Sequence, residues 1–355
     1  MTLGTGADLA QDDAPQAGPA SPGGAVRRGR GFALPRSPKI LVGLGMLLAF
    51  TVLAVFGPTL APYDPTRSFA NSPVPLPPSA VHWLGTTQLQ QDVLSQLLSG
   101  GRSTFLVAFL AGLVATALSV LIGVTAGFLG GLADDLLSML ANIFLVMPAL
   151  PLLIILFGFL GSASTNDNLV IGLIISVTGW AWGARVLRAQ TLSLRNRDYV
   201  DSARLIGERN WRIITTEILP NLTPIVASSF LFTVLYGVGT YTALAFLGLV
   251  NSVNWSWGTM LFSAQLSNAE TNGYWWWFVP PGLAVALLGT ALALLNFGID
   301  EFINPRLRVA GLSRRQAGRR RPGGLPRRYV LGLTPVVRSP ELSDAGAAAS
   351  RGRRP

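Results

Sequence analysis

The chain has no cysteine, which excludes a disulfide and any thiolate chemistry. Histidine occurs once, at His82. A multi-histidine metal site is therefore ruled out, as is a histidine-based triad unless His82 serves. Lysine also occurs once, at Lys39, and arginine supplies the rest of the 27 basic residues. No G-x-x-x-x-G-K-[ST] stretch is present, so the chain cannot cradle ATP by that loop. Only 12% of residues are charged, and few of these fall inside apolar runs. Ion-coupled transport thus has little to work with, and no broken-helix pair with acidic coordination is evident. No nucleophile–base pair or metal cluster argues for an enzyme.

What the chain has in quantity is apolar length. Half of its residues are hydrophobic, and mean hydropathy is +0.46. A helical span needs roughly 20 apolar residues. The uncharged runs predict an all-α membrane protein with about six transmembrane helices, near 40–61, 103–129, 136–160, 168–187, 222–249 and 277–299. Arginine collects before the first run, in the stretch 185–221, and after Asn304, whereas the loops near 161–168 and 251–276 hold no basic residue. By the positive-inside rule, both termini and the 185–221 stretch face the cytoplasm. Residues 1–38 read as a disordered tail, 39–102 as the first helix and an external loop, 103–308 as a core of five helices, and 309–355 as a basic disordered tail. The first apolar run starts too late and is too long for a signal peptide, so it reads as an uncleaved anchor. The basic tail lacks aromatic interleaving, so anionic lipid suits it better than nucleic acid.

Between two apolar runs lies a charged island, RVLRAQTLSLRNRDYVDSARLIGERNWRIITTEILPN, from Arg185 to Asn221. Asp198 can cap a short helix, with Asp201 in a box-like position. Tyr199, Ala203 and Ile206 share one face by helical spacing. Gly207 can close that helix in the left-handed conformation. Asn210 can cap a second helix bearing Trp211, Ile214 and Ile218, which Pro220 stops. Small Ser202 and Ala203 would admit a second surface closely. The prediction is a helix–turn–helix knob ringed by arginine; the bland alternative is a basic loop that only sets topology.

Asp201-Ser202-Ala203, Gly207 and Ile218-Leu219-Pro220 together resemble the coupling loop of ABC importer permeases. His82-Trp83-Leu84-Gly85-Thr86 and Asp92-Val93-Leu94-Ser95 resemble the dipeptide/oligopeptide/nickel branch of that family, in the subunit with an extra N-terminal span. The family pattern has arginine where this chain has Gln91 and Gln96, and often arginine and aspartate where it has Met139 and Asn142. Trp255 to Leu261 and the Asn304-Pro305-Arg306-Leu307-Arg308 ending also resemble it. The neutral positions bear on the cargo and leave the architecture intact.

Three sites have rival structural readings. His82 and Trp83 suit the outer head-group zone, with no ligand role for His82, and Asp92 can cap an interfacial helix leading into the second span. Pro148 and Pro151 each kink the third span, as hinge, pathway or mere shape. The Trp275-Trp276-Trp277 run reads as an interfacial belt or as a contact for a docked protein.

The resemblance implies a type I ABC importer permease fold in the cell membrane, moving peptides or similar small solutes. It implies coupling through a loop at 188–221. Tyr199, Asp201, Ser202, Ala203, Arg204, Gly207, Arg209, Ile218, Leu219 and Pro220 would meet the ATPase there, with Asp201, Ala203 and Gly207 giving shape and Arg204 or Arg209 polar contact. The implied partners are ABC ATPase subunits that bind the ATP, a second permease subunit and an extracytoplasmic solute-binding protein. No cofactor is expected on this chain. The alternative is a secondary carrier or channel working without an ATPase.

Overall fold

A computed structural model describes residues 38–69, 74–161, 167–251 and 255–303. Of the tail expected at 1–38, residues 1–37 lie outside the described residues and Pro38 opens the first helix; the tail expected at 309–355 and the 304–308 ending also lie outside them. Among the described residues every regular element is a helix, apart from two isolated antiparallel bridges, Ser68 with Gln91 and Thr86 with Asp92. The helices are α1 (Pro38–Leu60), α2 (Val93–Leu129), α3 (Gly131–Val146), α4 (Ala149–Leu160), α5 (Asn168–Leu194), α6 (Asp198–Leu205), α7 (Asn210–Ile213), α8 (Leu219–Phe246), α9 (Trp257–Leu266) and α10 (Trp275–Ile303). A π-helical turn, Ile214–Ile218, joins α7 to α8.

Among the described residues five helical stretches are long and apolar enough to span a bilayer, and α3 with α4 makes a sixth if that bent pair counts as one. The helix that contains the second span starts already at Val93, ahead of the uncharged run that begins near 103. Asp92 caps it as expected, accepting a hydrogen bond from the Ser95 N–H at 2.8 Å, and the helix runs without a break into the span.

The third span departs most from expectation. It is two helices bent by 92°. Met147 has extended backbone (ψ 129°), as a residue before proline prefers, and Pro148 (ψ 116°) starts α4 from outside the helix. Pro151 falls in the first turn of α4, where backbone N–H groups lack intrahelical partners anyway, so its missing donor costs nothing and it makes no kink. Pro148 alone marks the break.

The bundle centres on α2, packed against α5 and α8. Close approach depends on small residues, as expected where backbones must meet inside a bilayer. A Cβ at Gly123 of α2 would run into the carbonyl oxygen of Ala184 on α5. Nearby, the Ser119 hydroxyl donates to the Trp180 carbonyl at 2.6 Å, and Thr116 meets Thr233 at 2.8 Å across α2 and α8. At about 1.5 Å per residue, the 37 residues of α2 hold its two ends roughly 55 Å apart.

Candidate coupling knob

The far end of α2 meets the charged island. The α5 helix continues past 187 to Leu194 and carries the island's first arginines on its last turns. Arg188 makes a bidentate pair with Asp134 at the start of α3, at 2.5 and 2.7 Å, and Ser138 donates to the same carboxylate at 3.0 Å. Arg195 caps α5 and donates to the Gly127 carbonyl of α2 at 3.2 Å. The base of the knob is thus clamped to both neighbours before α6 begins.

In α6 the expected cap shifts by one residue. Arg197 has the extended N-cap conformation, with no side-chain cap bond. Asp198 and Asp201 lie in the first turn instead, where carboxylates favour the helix dipole. Asp201 pairs with Arg204 at 3.1 Å, both exposed, which contributes little by itself. The Arg204 guanidinium also sits 5.3 Å from the Phe128 ring centroid, leaning the knob on α2.

Gly207 behaves as expected. Its φ is 85°, its N–H donates to the Arg204 carbonyl at 3.0 Å, and the Glu208 N–H donates to the Ala203 carbonyl at 3.1 Å, the paired bonds of a Schellman turn.

The second helix starts from Arg209 as N-cap, so Asn210 is its first residue and not its cap. Pro220 does not end it. The chain runs helically from Asn210 to Phe246. Pro220 has no N–H for the Thr216 carbonyl and its ring would crowd that carbonyl in a regular helix. The π turn opens the spiral just ahead of it, with the Leu219 N–H reaching back to the Ile214 carbonyl.

The buried face also differs from the expected one. Val200, Ala203, Ile213 and Ile218 pack with Val124 and Phe128 of α2, Leu187 of α5 and Leu222 of α8. Val200, Ile213 and Ile218 are fully buried. Ile206 and Trp211, expected beside Ala203 and Ile218, point outward instead, 82% and 63% exposed. Leu205, which the face argument left out, is 89% exposed. Among the candidates, Ala203 and Ile218 are pins, Leu219 is half-buried, and Tyr199, Asp201, Ser202, Arg204, Gly207, Arg209 and Pro220 lie on the surface. The result is an apolar tip of Leu205, Ile206 and Trp211 edged by arginine. Leu219 also lines an apolar groove of about 640 Å3 between α2 and α8, with Thr116, Val120, Val226 and Phe230.

At the opposite end, His82 is buried. It is 5% exposed and its Nδ1 lies 3.0 Å from Asp92 Oδ1. Trp83 is exposed as expected, but the aromatic belt divides: Trp275 faces out while Trp276 and Trp277 are buried. Among the described residues no group of three His, Cys, Asp or Glu side chains could hold a metal ion.

A family model described as "Binding-protein-dependent transport system inner membrane component" matches residues 119–309. A second, the N-terminal TM domain of oligopeptide transport permease C, matches 34–78. The chain is 30% identical to the dipeptide transport system permease protein DppC of Bacillus subtilis (strain 168), over 78% of this chain and 84% of that protein. It is 32% identical to the di/tripeptide transport system permease protein DppC of Pseudomonas aeruginosa (strain UCBPP-PA14), over 76% and 89%. A chain of the inward-facing MetNI methionine ABC transporter aligns with TM-score 0.47 and 18% identity, over 59% of this chain and 94% of that one.

Proposed function

The chain belongs to the family of binding-protein-dependent transport system inner membrane components, and from that premise we propose that residues 198–220 are the handle through which a separate ATPase drives it to import peptides. It is a multi-pass plasma-membrane protein and the transmembrane permease subunit of an ABC importer. It is not an enzyme, since hydrolysis in such importers is carried by separate ATPase subunits.

The observation that carries the proposal is the two-faced knob. Its inner face pins it to three helices of the bundle, so it cannot shift without moving them. Its outer face leaves Leu205, Ile206 and Trp211 uncovered beside Arg204 and Arg209, and large exposed apolar side chains beside charge mark a docking surface. An ATPase cleft fits this tip. ATP binding there supplies the differential contact energy that two arrangements of packed helices require. On this reading the knob end is cytoplasmic, a second permease subunit completes the route, and the α2–α8 groove ending at Leu219 faces that route. A solute-binding protein delivers cargo at the opposite end. The dipeptide and di/tripeptide names of the two relatives support peptide as the cargo class.

The test uses the absence of native cysteine. Leu205→Cys places one thiol on the tip of the assembled transporter. Cross-linking to the ATPase that changes with bound nucleotide is expected, together with nucleotide-dependent peptide uptake. Uptake that persists without any ATPase would overturn the reading.

A further inference from the structure

At the end of the bundle opposite the knob, Thr66, the segment 87–91, the first turns of α2, α9 and the start of α10 enclose a cavity of about 480 Å3. None of its lining residues is ionisable. Three of them, Gln96, Trp255 and Trp277, each carry a buried polar atom with no hydrogen-bond partner. Gln96 is 1% exposed and Trp277 2%.

The unpartnered atoms have fixed chemistry. The Gln91 Nε2 donates to the Thr66 carbonyl at 3.2 Å, which leaves Gln91 Oε1 as an acceptor. The Gln96 Nε2 donates to that oxygen at 2.8 Å and to the Pro65 carbonyl at 3.2 Å. Both amides are thereby oriented, and Gln96 Oε1 remains as an acceptor. The idle donors are the indole N–H groups of Trp255 and Trp277. Neighbouring indoles are not idle: Trp257 donates to the Leu97 carbonyl at 2.9 Å and Trp276 to the Thr86 carbonyl at 3.3 Å. Buried polar groups are ordinarily paired, so three orphans on one cavity point to something that fills it.

We infer that this cavity binds an uncharged peptide group, whose carbonyl accepts from the Trp255 and Trp277 indoles and whose N–H donates to Gln96 Oε1. A carboxylate would face Gln96 Oε1 without a cation, and an ammonium would find two donors and no carboxylate. Gln91 and Gln96 leave this place without charge. The inference rests on the transport reading for its setting. The peptide group has two possible sources, a free peptide or an extended segment of the docked solute-binding protein.

Benzoylphenylalanine at Leu266, an exposed lining position, tests both in the complete transporter. One arm adds N-acetyl-dialanine methylamide, whose ends carry no charge; the other adds the solute-binding protein alone. Label on the capped peptide assigns the site to cargo, and label on the protein assigns it to docking. Trp255→Phe with Trp277→Phe keeps both rings, removes both donors, and should lower the productive label about tenfold. Gln96→Arg should shift preference from the capped peptide to dialanine with its free carboxylate. No label in either arm, or label that the double Phe variant leaves unchanged, overturns the site. Uptake is measured in parallel: peptide uptake without label sinks the cavity alone, whereas a transporter that moves no peptide sinks the transport reading.

Discussion

The two ends of α2 solve opposite problems. At the knob, polar groups lie on the surface and apolar side chains do the anchoring. Val200, Ile213 and Ile218 are buried to nothing, while the charges of Asp201, Arg204 and Arg209 stay in solvent. At the other end, polar groups do the anchoring from inside: His82, Asp92, Ser95 and Gln96 are all buried. A pinned element with a free charged face can move as a rigid body under an outside force. A buried polar web instead holds its loop in one arrangement, because each broken bond leaves a desolvated group behind. Substitutions at the knob should therefore separate transport from stability, and those at the opposite end should not.

The largest expected effect is at Gly207. A Cβ there meets nothing, so space is no obstacle; the obstacle is φ of 85°, which costs an L-residue roughly 1–2 kcal/mol and a β-branched one more. Gly207→Val should abolish uptake while membrane insertion, read by protease protection, stays intact. Gly207→Asn should retain most uptake, because Asn tolerates that conformation. Normal uptake by the Val variant would remove the knob's shape from the mechanism.

Next is the exposed tip. Leu205→Ser with Ile206→Ser removes two side chains that touch little of their own chain, so stability should change by no more than about 0.5 kcal/mol. Uptake, and nucleotide-dependent cross-linking at Trp211→Cys, should fall about tenfold or more. A large drop in melting temperature instead would mean that these residues serve the fold.

The contrast between the ends was only partly legible in the chain. Gly207 announces itself because few residues accept a left-handed helix end. The inner face did not, because an eight-residue helix offers two adjacent apolar stripes. Tyr199–Ala203–Ile206 and Val200–Ala203 differ by one position, and only the α2 and α5 surfaces choose between them. Pro220 misled because a single π turn absorbs its missing donor. The third span misled because two nearby prolines look equivalent, although one precedes a helix and the other lies in its first turn. The cavity joins positions near 66, 96, 255 and 277, and no local pattern brings these together. Its one trace in the sequence is the glutamine pair Gln91 and Gln96.

The Asp134–Arg188 pair ranks third and lies at the knob's base. Its side chains are 13% and 34% exposed, so solvent screens it in part. Asp134→Asn should cost about 1–3 kcal/mol and loosen α3 from α5. Arg188→Lys should cost nearly as much, because an ammonium cannot form the two-pronged contact. A double-mutant cycle on thermal unfolding reads the coupling, and a value near zero would place the clamp elsewhere.

A further stability effect with a distinct signature belongs to Asp92. Its carboxylate accepts from the Ser95 N–H and hydroxyl at 2.8 and 2.7 Å and meets His82 at 3.0 Å. Asp92→Ala removes the cap of α2 and strands His82, for about 1–2 kcal/mol. Asp92→Asn keeps a good capping residue and should lose less than half of that. Hydrogen exchange locates the damage: protection should fall in the 82–96 segment and stay unchanged at 198–213, roughly 55 Å away along α2. Equal loss at both places would mean that the helix transmits the disturbance whole, and the two ends would then be one mechanical unit and not two.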